Sequence, residues 1–268
     1  MLGKLLKYET KATARLFLPI YIAILLLAFV NRLVNPFERV GNTLTSTIEG
    51  FNLLNIIRAF SGFLYFGLIV AAVAMTLIIM IQRFYKNLLS DEGYLMFTLP
   101  VETWQHIISK LLVSMLWVIS SFLVIICSIL ILVNVDNLFG ELSRIISSAR
   151  DFLGDNLLVL FPVLALIASA YFILTVYNAL AIGHLFAKNK IIASFGAYMA
   201  IYFVSQIVFA IFLFATANWI FVPLSQSTVA VPPQLIKLIG SLIFLYLLLG
   251  VGNFLVANFI LNKKLNLE

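Results

Sequence analysis

Six apolar runs, Leu16–Val34, Ala59–Gln82, Ile107–Val133, Leu157–Ala187, Ile191–Thr216 and Leu238–Leu261, dominate this chain. The shortest has 19 residues. A helix of 19 residues rises about 28 Å, close to the ~30 Å hydrocarbon thickness of a bilayer. Arg32 and Lys110 lie near the ends of their runs, and the other four runs carry no Asp, Glu, Lys or Arg. The chain as a whole is 63% hydrophobic and 10% charged, with a mean hydropathy of +1.11. A soluble domain averages about 25% charged residues and could not hide this much apolar surface, so the solvent for these runs is lipid. The expected fold is an all-α membrane protein of six transmembrane helices, forming a single domain over 1–268. The run 157–187 is longer than an upright span needs, and is expected to tilt, to kink near Pro162 or to protrude.

Charge sets the expected orientation. With both termini inside, eleven of the 17 basic residues fall on the cytoplasmic side: Lys4, Lys7, Lys11, Arg15, Arg83, Lys86, Lys110, Lys188, Lys190, Lys263 and Lys264. The outer basic residues, Arg32, Arg39, Arg58, Arg144, Arg150 and Lys237, are matched in number by outer acids. The whole net charge of +6 therefore sits inside, as the positive-inside rule requires. The pI of about 9.4 has the same origin and implies no nucleic-acid partner. Lys4, Lys7, Lys11 and Arg15 recur at helical spacing, so residues 1–13 read as an amphipathic helix in the inner membrane interface, lysines toward anionic headgroups. The first run has no A-x-A-type site after it and reads as an uncleaved span. The expected location is the cell (plasma) membrane, with the protein multi-pass and both termini cytoplasmic.

What the spans lack narrows function. A charge at mid-bilayer costs roughly 3 kcal/mol or more and is retained mainly for ion or proton paths. Span centres without charge argue against an ion-coupled transporter, a pump or a cation channel. No H-E-x-x-H and no intramembrane carboxylate pair is present, and His106 and His184 both lie near the cytoplasmic ends of their runs. No enzyme activity, metal or cofactor is expected in this chain. Cys127 is the single cysteine and is expected to pack in the core. Arg144 and Arg150 neighbour Asp151 and Asp155 and are expected to form solvated pairs. Asn178, Gln206, Asn253 and Asn258, with Tyr171, Tyr177, Tyr198 and Tyr202, put polar groups inside the spans. They either hydrogen-bond between helices or line a substrate path.

The segment between the second and third runs is the strongest polar feature on the inner side. Ser90 is a good N-cap, and Asp91 and Glu92 place acid in a first helical turn. Tyr94, Leu95, Met96 and Phe97 follow, and Pro100 restrains Leu99 from helix. A short helix over Asp91–Thr98 is expected. It is too short to be stable alone, and its apolar groups need a cover: headgroups, the feet of the spans or another protein.

Leu88-Leu89-Ser90-Asp91-Glu92-Gly93-Tyr94-Leu95, Thr98-Leu99-Pro100-Val101 and Ile108-Ser109-Lys110-Leu111 together resemble the corresponding stretch of permease subunits of type-2 ABC exporters. The turn Ala181-Ile182-Gly183-His184-Leu185-Phe186, with Lys188 and Lys190, is similar to the same subunits. The resemblance implies that Asp91, Glu92, Gly93, Tyr94, Leu95, Phe97, Thr98, Leu99 and Pro100 form a coupling helix, with Lys188 and Lys190 as a smaller contact. It implies two partners besides lipid: a soluble P-loop ATPase subunit, and a second six-span permease subunit in a homo- or heterodimer. This chain has no G-x-x-x-x-G-K-[ST], so ATP would bind on the partner. The segment Asn218–Ile236 is shorter than the large outer domains of some such permeases. The alternative reading is a non-catalytic membrane scaffold or immunity protein.

Overall fold

The computed structural model describes residues 2–34, 53–90, 93, 101–132, 138–186, 188–225 and 233–263. Among these, the regular structure is entirely helical. Helix α1 is Leu2–Val34, α2 is Leu53–Phe84, α3 is Thr103–Leu132, α4 is Leu138–Gly183, α5 is Lys190–Ser225 and α6 is Pro233–Lys263. A π-helical turn, Tyr85–Leu89, extends α2. Six helices are long and apolar enough to cross a membrane. The protein is thus a multi-pass membrane protein, and the many exposed Phe, Leu, Ile and Val side chains on these helices are its lipid-facing surface.

The helices run further than the apolar runs do. Helix α1 starts at Leu2 and continues without a break into the first span, so residues 1–13 do not form a separate element. Helix α4 starts at Leu138, inside the segment expected to be an outer loop. The break in α4 is at Gly154, with φ 74° and ψ 161°, rather than at Pro162. Such a backbone is open to glycine and strained for other residues. Pro162 sits within helix. Arg150 and Asp155, both exposed, pair across the Gly154 break. Pro233 takes the first position of α6, where its missing N–H costs nothing.

The chain forms two compact units. One comprises residues 6–79 and 116–142, the other 1–5, 80–115 and 143–268. In the first unit, α1 buries Thr13, Phe17, Tyr21, Ile24, Ala28 and Asn31 on one face. Steps of three and four place these residues in a single stripe. Phe17 stacks on Trp117 with ring centroids 4.3 Å apart. Trp117 Nε1 donates to Thr13 Oγ1 at 2.7 Å, and the Tyr21 hydroxyl pairs with Ser121 Oγ at 2.7 Å. Tyr65 pairs with Ser128 at 2.7 Å, and Asn31 Nδ2 donates to the Ser61 carbonyl at 3.3 Å. Between apolar helices, such bonds replace the partners that lipid cannot supply. Cys127 is exposed and not a core thiol, because the buried stripe of α3 passes through Ser121 and Ser128.

In the second unit, α4 buries Ile173, Leu174, Thr175, Tyr177, Asn178 and Ala181. Phe84 stacks on Tyr177 at 4.1 Å, and the Tyr177 hydroxyl pairs with Ser114 Oγ at 2.9 Å. The foot of α2, the start of α3 and the end of α4 are joined in this way. Lys110, near the end of its apolar run, is buried on a face shared with His106 and Ile107. Helix α5 has the least buried apolar window of the six, with Phe195, Phe203, Ile207 and Phe214 exposed.

Candidate functional site

The polar residues of the second unit form two groups. One surrounds the turn between α4 and α5. Helix α4 ends at Gly183, which lies directly against Ser194 of α5. A Cβ on Gly183 would overlap the Ser194 hydroxyl and its backbone N. Beyond Gly183, His184 and Leu185 form a turn, and Asn189, just before α5, is left-handed at φ 55°. Asparagine tolerates that conformation better than most residues. Its carbonyl accepts from the Ala193 N–H at 3.0 Å, opening α5. His184 Nε2 is 3.3 Å from Lys190 Nζ, and its ring stands edge-on to Tyr85 with centroids 6.2 Å apart. Burial, and secondarily the Lys190 charge, hold the His184 imidazole below its usual pKa. Neutral imidazole can then accept from the lysine ammonium through Nε2. Lys188 is exposed.

The expected coupling helix is represented only at its edge. Asp91, Glu92, Tyr94, Leu95, Phe97, Thr98, Leu99 and Pro100 lie outside the described residues. Gly93 is buried, and its N–H donates to the Ser90 carbonyl at 2.7 Å. A Cβ on Gly93 would stand 2.7 Å from the Leu88 carbonyl oxygen, so the turn out of the π-helix needs glycine there. Ser90 Oγ bonds back to the Lys86 carbonyl at 2.7 Å.

The second group lies among the spans. Three of the four amides singled out in the sequence bond between helices. Asn178 Nδ2 donates to Asn253 Oδ1 at 2.8 Å, and Asn253 Nδ2 donates to Thr175 Oγ1 at 3.1 Å. Asn258 Oδ1 accepts from Thr103 Oγ1 at 2.9 Å, tying the end of α6 to the start of α3. Gln206 does something different. With Tyr171, Tyr198, Tyr202, Ser205 and Tyr246, it lines a cavity of about 220 Å³ between α4, α5 and α6. Tyr171 donates to Ser205 Oγ at 2.7 Å, and its ring lies 5.4 Å from that of Tyr246. Tyr177, by contrast, belongs to the packed interior.

The sequence groups Tyr171, Tyr198, Tyr202 and Gln206 with Tyr177 and the three asparagines as polar residues of the spans, without separating those of the cavity from those that bond between helices. Tyr198, Tyr202, Ser205 and Phe209 recur at steps of three and four, with Gln206 four residues after Tyr202, which places a polar–aromatic stripe on one face of α5 and was the available signal. Tyr246, from α6, had no local signature.

Among the described residues, no three His, Cys, Asp or Glu side chains come together as a metal site. No family model, curated protein or solved structure matches this chain.

Proposed function

We propose that this chain is the transmembrane permease subunit of an ATP-driven exporter of the type-2 ABC class, working with a separate P-loop ATPase and a second six-span subunit in the cell membrane. The observation that carries the reading is the segment joining α2 to α3. Leu88–Leu95, Thr98–Val101 and Ile108–Leu111 resemble the coupling stretch of such permeases, and this stretch falls between the second and third of six span-length helices. Both termini would be cytoplasmic, as the basic residues of the inner set require. ATP would bind the partner, and its motion would enter through Asp91–Pro100, with Lys188 and Lys190 as the lesser contact. The first residues of α1, with Lys4, Lys7 and Lys11, would lie against anionic headgroups. Alternating access then amounts to an ATP-dependent shift between inward- and outward-open populations.

Co-purification from the native membrane with a P-loop ATPase is the direct test. The triple substitution of Leu95, Phe97 and Leu99 by Ser should leave membrane insertion intact and uncouple ATP hydrolysis from transport. Undiminished transport in that variant would refute docking at Asp91–Pro100. A chain that captures no ATPase would favour the scaffold or immunity reading.

A further inference from the structure

The cavity between α4, α5 and α6 is unusual in what it leaves unpaired. The hydroxyls of Tyr198, Tyr202 and Tyr246 and the carboxamide of Gln206 have no hydrogen-bond partner among the described residues. Gln206 and Tyr202 are exposed and Tyr198 and Tyr246 partly exposed, so these groups are open to a ligand. In the same helices the bonds of Asn178 with Asn253, Asn258 with Thr103 and Tyr177 with Ser114 are made away from the cavity lining. Four polar side chains are left lining one volume.

The lining selects a ligand by what it contains and what it omits. Among the described residues, no Lys, Arg, Asp or Glu borders the cavity. A phosphate or carboxylate would enter without a counter-charge, which burial makes expensive. Four tyrosines, by contrast, line it with electron-rich rings, and the phenolic and amide oxygens add partial negative charge. That is the chemistry by which aromatic cages hold alkylammonium groups. At about 220 Å³ the cavity is smaller than the roughly 300–1,000 Å³ of a site for a whole drug-sized molecule. Phe172 and Tyr202, which also line it, are 38% and 45% exposed, so it is open beside them. We propose that this cavity binds the alkylammonium head of an amphiphilic organic cation, the tail leaving past Phe172 and Tyr202 into the membrane. A choline-headed lipid and a free cationic amphiphile share this chemistry. The site needs no ATPase, so its test is independent of the permease reading.

The full chain in dodecyl maltoside is titrated with radiolabelled phenyltrimethylammonium. Its neutral isostere tert-butylbenzene, which has carbon where the probe has N⁺, serves as competitor. Saturable binding is expected, displaced by dodecyltrimethylammonium and not by tert-butylbenzene at equal concentration. Tyr246→Leu should weaken binding about tenfold, and Tyr246→Phe, which keeps the ring, less than about threefold. Displacement by phosphatidylcholine would identify the occupant as a lipid headgroup. Displacement by the soluble amphiphile alone would identify a free amphiphile. Absence of saturable binding, equal competition by tert-butylbenzene, or unchanged affinity in a monodisperse Tyr246→Leu protein would each overturn the proposal. Should Tyr246→Leu fail to fold, the isostere comparison on the unmodified chain still decides.

Discussion

Asn178 and Asn253, 75 residues apart in the chain, face each other across α4 and α6 with Nδ2 of the first 2.8 Å from Oδ1 of the second. Asn253 passes the bond on to Thr175. Both asparagines are buried, so neither amide has water as an alternative partner. An inter-helix bond of this kind contributes about 1 kcal/mol in a membrane bundle. Removing one partner costs more than that, because the other is left buried and unpaired. Asn178→Leu should therefore destabilise the protein by about 1–3 kcal/mol. Adding Asn253→Leu should cost less than the second single substitution does alone. A double-mutant cycle on unfolding in bicelles checks this, and a coupling energy near zero would contradict the geometry.

The contact of Gly183 with Ser194 allows a sharper test. The added Cβ of Gly183→Ala would meet backbone as well as the serine hydroxyl. Removing the hydroxyl cannot relieve a clash with backbone. The substitution should cost at least the 1–3 kcal/mol typical of overpacking, and Ser194→Ala should fail to rescue it. Gly196→Ala, with nothing within 4 Å of the new methyl, should be neutral or slightly stabilising, since Ala is the better helix former. Thermal melts of the three variants in detergent distinguish these outcomes.

How much of this was legible in the sequence depends on how local each feature is. The six spans were legible because hydropathy is a property of consecutive residues. Helix ends were less so: Leu138–Gly154 and the stretch up to Ser225 are helical without being uniformly apolar, and apolar length was the criterion used. A kink near Pro162 was one of three expectations for the long α4 run, beside tilt and protrusion, and a proline can be absorbed within a membrane helix. The left-handed φ at Gly154 is a backbone choice that glycine permits and does not announce. The amides were visible as candidates, but the separation of Asn178, Asn253 and Asn258 from Gln206 depends on which helix faces which. Tyr246 entered the cavity lining for the same non-local reason.

His184 gives the protein a pH response of known sign. Its folded pKa lies below the ordinary 6.5, chiefly through burial and secondarily through Lys190. Below about pH 6.5 the unfolded chain takes up a proton that the folded chain resists, so stability falls as pH falls through that window and is level above it. His184→Gln should flatten this part of the Tm-against-pH curve. Lys190→Met should reduce the dependence without abolishing it, because burial is the larger cause. An unchanged slope between pH 5 and 7 in His184→Gln would assign the response to another group.

In the first unit, Trp117 separates packing from hydrogen bonding. Its ring stacks on Phe17 and its Nε1 donates to Thr13 Oγ1. Trp117→Phe keeps an aromatic partner for Phe17 and loses the bond, so it should cost about 1–2 kcal/mol. Trp117→Ala also empties the ring site, with a cost of about 3–5 kcal/mol. Thr13→Val in the wild-type background leaves a buried N–H without its acceptor and should resemble Trp117→Phe. In the Trp117→Phe background the same change should be nearly silent, since the bond is already gone. Unfolding midpoints of the four proteins test this, and a full second penalty for Thr13→Val would show that Thr13 acts through packing and not through the indole.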